Sequence, residues 1–468
     1  MSAGAIDPAV VDELTEIVGQ AHVLSDPEIT ASYSIDWTRR FAGSTPLVVR
    51  PADTAETAAA MGVLAAARIA VVPQGGNTGL VGGSVPLAGE AVLSMRRLDV
   101  CEAVDELASQ VTVGAGVTLA DAQIHAAAAG LSVGVDLAAR ESATIGGMVA
   151  TNAGGINVLR YGAMRAQVVG IEAVLADGMI VSHLAGLEKD NTGYDLGSLL
   201  AGSEGTLGVI TRVRLRLHPL QPERATALLA FETAQDAVAA AAALRRSVGS
   251  LHALEAVFDS AMALVSAHLG VDPPVGSLSS GSRNASGAAW LIAEAAARTD
   301  PSDELGTAVD EIADLLIDAA VALDPPARQR LWAFRENVTE AISAAGIPHK
   351  LDVTLPAARL AEFVDGVADV VRMADSDAQP LLFGHLGDGN VHVNVLGPGG
   401  AEPAEEVDDA VLRYVAELGG SISAEHGIGT AKLGQLHLNR TEAELAAFSA
   451  IKRALDPEGL LNPHVLLP

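Results

Sequence analysis

The sequence predicts an α+β fold made of two domains and a closing segment. Strand-like apolar runs alternate with helical segments as far as Leu217. Pro219 and Pro222 interrupt that pattern, and strands alternating with long helices follow. A length of 468 residues is enough for two or three domains. We therefore expect an N-terminal helical segment over 1–41, a first domain over 42–221, a second domain over 222–415 and a C-terminal segment over 416–468.

The composition describes a globular protein that does not bind nucleic acid. Hydrophobic residues make up 49% and charged residues 19% of the chain, which separates it from disordered proteins. The formal net charge is −29, and this negative field disfavours nucleic acid and anionic membranes as partners. The single Cys101 suits a reducing compartment. Since the first residues lack a signal-peptide pattern and no apolar run approaches a membrane span, we expect a soluble, cytoplasmic protein without an integral membrane segment.

Apolar periodicity and helix caps predict the elements of the first domain in order. Asp7 and Pro8 are typical of a helix start. Strands are expected at 46–51, 69–72, 92–94, 110–113 and 213–217, and helices at 54–68 and 119–129. The Asp177-Gly178 pair predicts a hairpin that joins 168–175 to 179–181. Arginines at 212, 214 and 216 alternate along the last strand, which indicates a solvated or ion-paired face.

Three loops of the first domain are too rich in glycine to be ordinary turns. They cover residues 73–84, 142–155 and 199–211, and each adjoins an apolar run. Glycine lets backbone N–H groups approach an anion closely, and successive N–H groups form a concave nest for phosphate. The first loop lacks the Lys-Ser/Thr of a nucleotide P-loop and the G-x-G-x-x-G of a dinucleotide fold, which disfavours NAD in a Rossmann domain. The loops predict one extended, phosphate-bearing ligand that is contacted mainly by backbone.

The second domain carries less information in its first half. Strands are expected near 227–231, 256–258 and 288–293, helices at 234–246 and 303–321, and a loop at 273–287. A helix over 331–340 would place Arg335 and Thr339 one turn apart on one face. Lys350 follows in a strand over 349–356. Arg335 and Lys350 are candidate carboxylate clamps, although isolated cations of this kind more often form surface ion pairs.

A β-hairpin over 380–395 carries the first candidate metal ligands. With Asp388-Gly389 as a two-residue type I′ turn, His385 would lie directly opposite His392, where two imidazoles can bind one metal ion. Two histidines alone are more often a packed or surface pair. Glu425, expected at a glycine-rich strand end, would complete a His₂Glu site with an open position. His426 beside it is a candidate base, provided that Gly427 permits a bend.

The three loops resemble those of the FAD-binding domain of the vanillyl-alcohol oxidase/p-cresol methylhydroxylase superfamily. The resemblance lies in Gln74-Gly-Gly-Asn-Thr-Gly79, in Ile145-Gly-Gly with Asn152-Ala-Gly-Gly155, and in Gly202-Ser-Glu-Gly-Thr-Leu-Gly208. It implies a p-cresol methylhydroxylase-type FAD-binding domain, a mixed α/β, ferredoxin-like substrate domain with antiparallel strands, and a C-terminal segment that returns to the FAD domain. Covalent members carry a His where Asn77 stands, so the resemblance implies non-covalent FAD. The FAD contacts it implies are Pro73, Gln74, Gly75, Gly76, Asn77, Thr78, Gly79, Leu80, Gly83, Ser84, Ser142, Thr144, Gly147, Thr151, Asn152, Gly154, Glu204, Gly205, Gly208, Ile210 and Asn462.

From about residue 42 onward the chain resembles the flavin-dependent 2-hydroxy-acid dehydrogenases of that superfamily, which act on D-2-hydroxyglutarate, D-lactate or glycolate. The specific motifs are Gly384-His-Leu-Gly-Asp-Gly-Asn-Val-His-Val-Asn394 and Ala424-Glu-His-Gly427. The resemblance implies that His385, His392 and Glu425 bind a divalent ion such as Zn²⁺ and that His426 is the catalytic base. It also implies that Arg335, Thr339, Lys350 and Asn394 contact the substrate, and Lys350 favours the dicarboxylate D-2-hydroxyglutarate.

Three alternatives remain open at this point. They are a D-lactate or glycolate dehydrogenase of the same fold, an FAD-binding subunit that needs partner chains, and a metal hydrolase without flavin, which the three loops disfavour. The implied partners are a small 2-hydroxy acid and an electron acceptor such as an electron-transfer flavoprotein, a quinone or a cytochrome. A homodimer is compatible with the sequence, which does not fix the oligomeric state.

Overall fold

The computed structural model describes residues 6–276 and 288–467. The strands are β1 (Val23–Leu24), β2 (Val48–Val49), β3 (Val71–Gln74), β4 (Ala91–Ser94), β5 (Gln110–Gly114), β6 (Leu131–Val133), β7 (Val168–Val174), β8 (Ile180–His183), β9 (Val209–Pro219), β10 (Glu223–Phe231), β11 (Leu251–Phe258), β12 (Ala289–Ala297), β13 (Asp318–Ala322), β14 (His349–Thr354), β15 (Gln379–Gly384) and β16 (Asn390–Leu396). The helices are α1 (Pro8–Val18), α2 (Pro27–Thr30), α3 (Thr54–Ala66), α4 (Leu119–Ala128), α5 (Ile145–Thr151), α6 (Val158–Tyr161), α7 (Met164–Gln167), α8 (Leu196–Leu200), α9 (Ala234–Ser247), α10 (Asp259–Leu269), α11 (Ser302–Glu311), α12 (Pro325–Glu336), α13 (Val338–Ala345), α14 (Ala357–Ala374), α15 (Glu406–Glu417) and α16 (Glu442–Leu455).

The described residues divide into two compact units. The first lies within Met1–Gly155, Tyr161–Leu220 and Glu425–Pro468, and the second within Ile156–Arg160 and Gln221–Ala424. In residues 6–276 and 288–467, none of the helices combines the length and the apolarity that a membrane span requires.

Two sheets form the first unit. β1, β2, β4 and β3 make a four-stranded sheet in which β2, β4 and β3 run parallel. β5, β9, β7 and β8 form an antiparallel sheet, and β6 joins it by pairing with β9. Leu461 forms a parallel bridge with Val71, so the C-terminal segment returns to this unit. Helices begin where the sequence supplies caps, as at Asp7, whose side chain accepts a hydrogen bond from the backbone N–H of Ala9.

β9 shows how the sequence pattern sets a buried and a polar face. Its apolar residues are buried while its arginines are partly exposed. Arg212 pairs with Glu102, Arg214 with Asp105 and Arg216 with Glu188. The prediction of an ion-paired face is confirmed.

The second unit is a seven-stranded antiparallel sheet with the order β13-β10-β12-β11-β15-β16-β14. Its apolar core includes Leu228, Met262, Ile292 and Phe334. β11 and β12 are buried along both faces, and their residues are apolar apart from His252, Glu255 and Glu294. Of the loop predicted over 273–287, residues 277–287 lie outside the described residues.

Two expectations for the second unit need correction. The helix predicted over 303–321 ends at Glu311, and residues 318–322 form β13 instead. β13 pairs with the edge of β10, where backbone hydrogen bonds override the helical periodicity. The unit also extends beyond residue 415, since Ser421 bridges to Thr354 and the backbone N–H of Ala424 donates to the carbonyl of Asp352.

Candidate active site

The first glycine-rich loop packs against the second at distances that only glycine permits. A Cβ built on Gly76 would lie 1.9 Å from the carbonyl oxygen of Ser142, and one on Gly75 would lie 2.2 Å from Oγ1 of Thr144. Asn77 has a left-handed backbone with φ 55°, and its side-chain oxygen accepts a hydrogen bond from Oγ of Ser84 at 2.8 Å. The close approach at Gly75 and Gly76 brings the two loops together, and the Asn77–Ser84 hydrogen bond lies within the first loop.

Gly76→Ala is therefore expected to weaken FAD binding. Overpacking costs about 1–3 kcal/mol, so the dissociation constant for FAD should rise roughly 5- to 150-fold. Gly62→Ala in α3 of the same unit is the matched control, since Gly62 is not a predicted FAD contact and a Cβ there meets no atom of the described residues within 4 Å. Fluorescence titration of the apoprotein with FAD measures both constants. Equal affinity in the two variants would contradict the close approach of the loops.

Buried polar atoms in these loops fit a cofactor that offers hydrogen bonds. Among the residues that the structure describes, Oγ1 of Thr144 and Oγ of Ser203 are buried and find no hydrogen-bond partner. Such groups are costly to leave unsatisfied. Thr144 is one of the predicted cofactor contacts, and Ser203 stands inside the third glycine-rich loop but is not among them. The loops thus fit a phosphate-bearing ligand such as FAD.

Glu204 and Asn462 hold the loops of the first unit together. The carboxylate of Glu204 accepts hydrogen bonds from the backbone N–H groups of Ile428 at 2.9 Å and Gly429 at 2.8 Å. Burial raises the pKa of Glu204, and the two backbone donors and the charge of Lys432 oppose this rise. The side-chain nitrogen of Asn462 donates to the carbonyls of Gly83 and Glu204. The polar groups of these two residues therefore fix chain segments that are far apart in sequence.

The remaining predicted cofactor contacts also belong to the first unit. Gln74 is buried, and its amide closes the first loop by donating to the carbonyls of Tyr33 and Ser84. Asn152 ends α5 in a left-handed conformation, and its side-chain oxygen accepts from the backbone N–H of Arg165. The others are Pro73, Thr78, Leu80, Thr151, Gly147, Gly154, Gly205, Gly208 and Ile210.

Glu425 and His426 lie on a bend of the first unit. The strand end expected here is absent from the described segment, where residues 424–426 bend and Gly427 has φ 83°. A Cβ on Gly427 would lie 2.8 Å from Oε1 of Glu204. The carboxylate of Glu425 accepts a hydrogen bond from the backbone N–H of Gly155 at 2.6 Å. Gly427 thus supplies the bend that the sequence required.

In the second unit the predicted histidine hairpin is present, but its register differs from the prediction. His392 pairs with Phe383 instead of His385. The turn is wider than two residues, because the backbone N–H groups of Asp388 and Asn390 both donate to the carbonyl of His385, and that of Gly387 donates to Leu254 in β11. The imidazole rings of His385 and His392 still lie side by side, with centroids 5.2 Å apart. The two predicted ligands are brought together from a loop and a strand.

A buried carboxylate lies against each of the two histidines. Nδ1 of His385 is 2.6 Å from Oε1 of Glu255, and Nδ1 of His392 is 3.3 Å from Oδ1 of Asp352. Burial raises the pKa of Glu255, but the charges of His385 and Arg335 bring it below its ordinary value. Burial lowers the pKa of His392, although Asp352 opposes this. Carboxylates that orient imidazoles in this way are typical of metal sites, and neutral imidazole is the form that ligates.

Two of the predicted substrate-binding cations, Arg335 and Lys350, belong to the same unit as the histidine pair. Nε of Arg335 donates to Oε2 of Glu255 at 2.8 Å, and its guanidinium carbon lies 4.7 Å from the ring centre of Phe383. Lys350 in β14 is directly opposite Asn394 in β16. Since opposed residues share a face of the sheet, Lys350 and Asn394 lie on the face that also carries His392.

The helix predicted to carry both Arg335 and Thr339 is interrupted between these two residues. The helix expected over 331–340 breaks at Asn337, whose side chain donates to the carbonyl of Ala333 and separates α12 from α13. The Arg335 side chain is 11% exposed, whereas Thr339 is exposed. The two side chains therefore do not form one buried cluster.

No sequence pattern assigned Glu255 or Asp352 to the site. Both side chains are buried, at 1% and 0% exposure. The available signal was an acidic residue inside an apolar strand, since a buried carboxylate requires partners. Their chemistry fits a divalent ion at His385 and His392, as two oriented imidazoles suit Zn²⁺ and similar ions.

Comparisons with known proteins agree with the fold. Residues 220–466 match the family model described as FAD linked oxidases, C-terminal domain, and residues 45–183 match the FAD binding domain. D-2-hydroxyglutarate dehydrogenase, mitochondrial, of Danio rerio is 36% identical over 453 residues, which cover 95% of this chain and 83% of that protein. D-2-hydroxyglutarate dehydrogenase of Xanthomonas citri pv. viticola is 35% identical over 469 residues, which cover 98% and 97%. The structure of p-cresol methylhydroxylase with substrate bound has a TM-score of 0.76 at 16% identity, and the alignment covers 98% of this chain and 97% of that one, which shows the fold.

Proposed function

The chain belongs to the FAD-linked oxidases and is an FAD-dependent oxidoreductase, and from that premise we propose that it oxidises a D-2-hydroxy acid to the 2-oxo acid. The proposed substrate is D-2-hydroxyglutarate, on which the named relatives act by their names. The observation that carries the proposal is the placement of Lys350 and Asn394 on the sheet face of His392, together with the contact of Arg335 with Glu255, which lies against His385.

Arg335 and Lys350 supply the positive charge that an anionic substrate requires. In a chain of net charge −29, a dicarboxylate needs local positive charge. Arg335 offers a planar fork that binds a carboxylate through two hydrogen bonds, and Lys350 offers a point charge. Asn394 opposite Lys350 adds an amide that both donates and accepts. Together they hold the substrate in one orientation.

His385 and His392 are the proposed metal ligands of the second unit, and their Nδ1 atoms are already oriented by Glu255 and Asp352. Glu425 is proposed as the third ligand from the sequence motif alone. A divalent ion, when bound, makes a coordinated hydroxyl more acidic. Zn²⁺ is the ion that the donor set favours.

His426 is proposed to take the proton of the substrate hydroxyl, because the ordinary pKa of an imidazole lies close to neutral pH. FAD, when bound, supplies the hydride acceptor, while the protein supplies placement and electrostatics. We propose that FAD is not covalently attached. The amide of Asn77 is not a nucleophile, and it is engaged with the carbonyl of Ile35 and the hydroxyl of Ser84.

Lys350→Ala tests the choice of substrate. Loss of a charge-assisted hydrogen bond costs about 1.5–3 kcal/mol, so kcat/KM for D-2-hydroxyglutarate should fall about 10- to 100-fold. Activity on D-lactate should change little, because that substrate lacks the second carboxylate. Steady-state assays with an artificial electron acceptor give both values, and Lys189→Ala, an exposed lysine, is the control. If the wild-type protein prefers D-lactate and Lys350→Ala leaves kcat/KM unchanged, the substrate is a monocarboxylate.

A further inference from the structure

Glu255 lies between a proposed metal ligand and a proposed substrate clamp. It stands in β11, and its side chain is 1% exposed. One carboxylate oxygen is 2.6 Å from Nδ1 of His385, and the other accepts from Nε of Arg335 at 2.8 Å. β11 pairs with β15 through Ala256 and Gly384, which brings Glu255 beside the loop that starts at His385. The backbone pairing of the sheet thus fixes where the carboxylate lies.

The hydrogen-bonding chemistry of this arrangement allows one assignment of protons. A carboxylate is an acceptor only, so the short contact requires a proton on Nδ1 of His385. In the neutral imidazole, the lone pair is then on Nε2, and this nitrogen is the one that can ligate a metal ion. Arg335 is always protonated, and its Nε–H points at the second oxygen. Each carboxylate oxygen therefore accepts from a different functional residue.

We propose that Glu255 is a positioning residue that sets the metal-ligating tautomer of His385 and the orientation of Arg335 together. The inference rests on the proposed function, since it assumes that His385 binds a metal ion and that Arg335 binds the substrate carboxylate. It predicts that one buried carboxylate links metal affinity to substrate affinity.

The burial of Glu255 supports this role. An unpaired carboxylate inside an apolar strand would be strongly unfavourable, and an apolar residue of similar size would serve the sheet at least as well. Arg335 also lies over the ring of Phe383, with its guanidinium carbon 4.7 Å from the ring centre. Glu255 and Phe383 together restrict the guanidinium from two sides, so loss of Glu255 removes one of its two restraints.

Glu255→Gln changes the proton pattern with almost no change in volume. The carboxamide has one accepting oxygen and one donating nitrogen. If the amide nitrogen faces Arg335, two hydrogen-bond donors face each other and neither has an acceptor in the pair. If its nitrogen meets His385, the imidazole must accept at Nδ1 and carry its proton on Nε2, which blocks metal ligation by that nitrogen. Either orientation disturbs one of the two functional residues.

In the experiment the FAD-loaded protein competes with a chromogenic chelator for Zn²⁺, and in a separate titration for Mn²⁺. The chelator absorbance then gives the metal dissociation constant of the protein. Loss of an orienting partner typically costs 10- to 100-fold in metal affinity, and we expect Glu255→Gln to raise the metal dissociation constant by about that factor. The matched control is Glu294→Gln. Glu294 is a buried glutamate like Glu255, but it lies on the neighbouring strand β12. Its carboxylate contacts Arg224, Thr226 and Trp332. The control should bind metal as the wild type does.

Two further readouts separate a positioning role from a structural one. In wild-type protein with ¹⁵N-labelled histidine and no added metal, a long-range ¹H–¹⁵N spectrum should show the His385 proton on Nδ1. This measurement needs no variant and holds even if Glu255→Gln fails to fold. In a folded Glu255→Gln variant, KM for the 2-hydroxy acid should rise at saturating metal, because Arg335 loses its orientation.

A proton on Nε2 of His385, or a Glu255→Gln variant whose metal affinity and KM both equal those of the wild type, would overturn the inference alone. A wild-type protein that binds neither ion would instead contradict the metal in the proposed function, and the inference would fall with it. Metal affinity lowered equally by Glu255→Gln and Glu294→Gln would assign Glu255 a structural role only.

Discussion

Replacing His426 with Asn is expected to lower kcat by about 10²- to 10⁴-fold, the range that general base catalysis contributes. Asparagine is similar in size and polar, but it cannot accept a proton near neutral pH. FAD content should be unchanged, because the three glycine-rich loops remain intact. Turnover with an artificial acceptor and the flavin absorbance of the purified variant measure the two quantities.

His437→Asn is the matched control for this prediction. His437 is exposed in the same C-terminal segment, and its Nδ1 contacts the carbonyl of Gly434. It should retain full activity. Undiminished activity in His426→Asn would remove His426 from the mechanism, and loss of flavin from that variant would assign it to cofactor binding instead.

Replacing Arg335 with Leu should have the largest effect on stability. The Arg335–Glu255 pair is buried, with side chains 11% and 1% exposed. Removing one partner of such a pair leaves an uncompensated buried charge and costs about 3–5 kcal/mol in the free energy of unfolding. Denaturant unfolding monitored by tryptophan fluorescence measures this loss, because Trp290 and Trp332 both belong to the second unit.

Arg359→Leu is the corresponding control in the second unit. Arg359 and Glu362 form an exposed pair on α14, and such pairs contribute little. Arg335→Leu should also raise KM for the 2-hydroxy acid, whereas Arg359→Leu should not. Equal unfolding midpoints in the two variants would show that Arg335 and Glu255 do not form a buried pair in solution.

Local signals predicted much of the fold. The Asp-Gly pair at 177–178 gave the β7–β8 hairpin, and period-two alternation gave the arginine face of β9. Where tertiary contacts compete with local pattern, prediction failed. Residues 318–322 became a strand because β10 offered an edge, and the helix over 331–340 broke because the side chain of Asn337 caps α12.

The sequence predicted candidate site residues only where they stand in short motifs. His385, His392, Glu425 and the glycine-rich loops carry their chemistry in local spacing. The register of the histidine hairpin was wrong, because hydrogen bonds from Gly387 to Leu254 and between Glu255 and His385 widen the turn. Glu255 lies 130 positions from His385 and 80 from Arg335, and no local pattern links residues at such separations.

The visible spectrum of the purified protein, recorded anaerobically during addition of D-2-hydroxyglutarate and then of D-lactate, tests whether the protein oxidises a 2-hydroxy acid through bound flavin. We expect a flavin band that bleaches faster with the dicarboxylate, since we propose that this substrate binds both Arg335 and Lys350. Faster bleaching with D-lactate would keep the chemistry and change the substrate. A flavin band that neither acid bleaches would contradict the proposed oxidation.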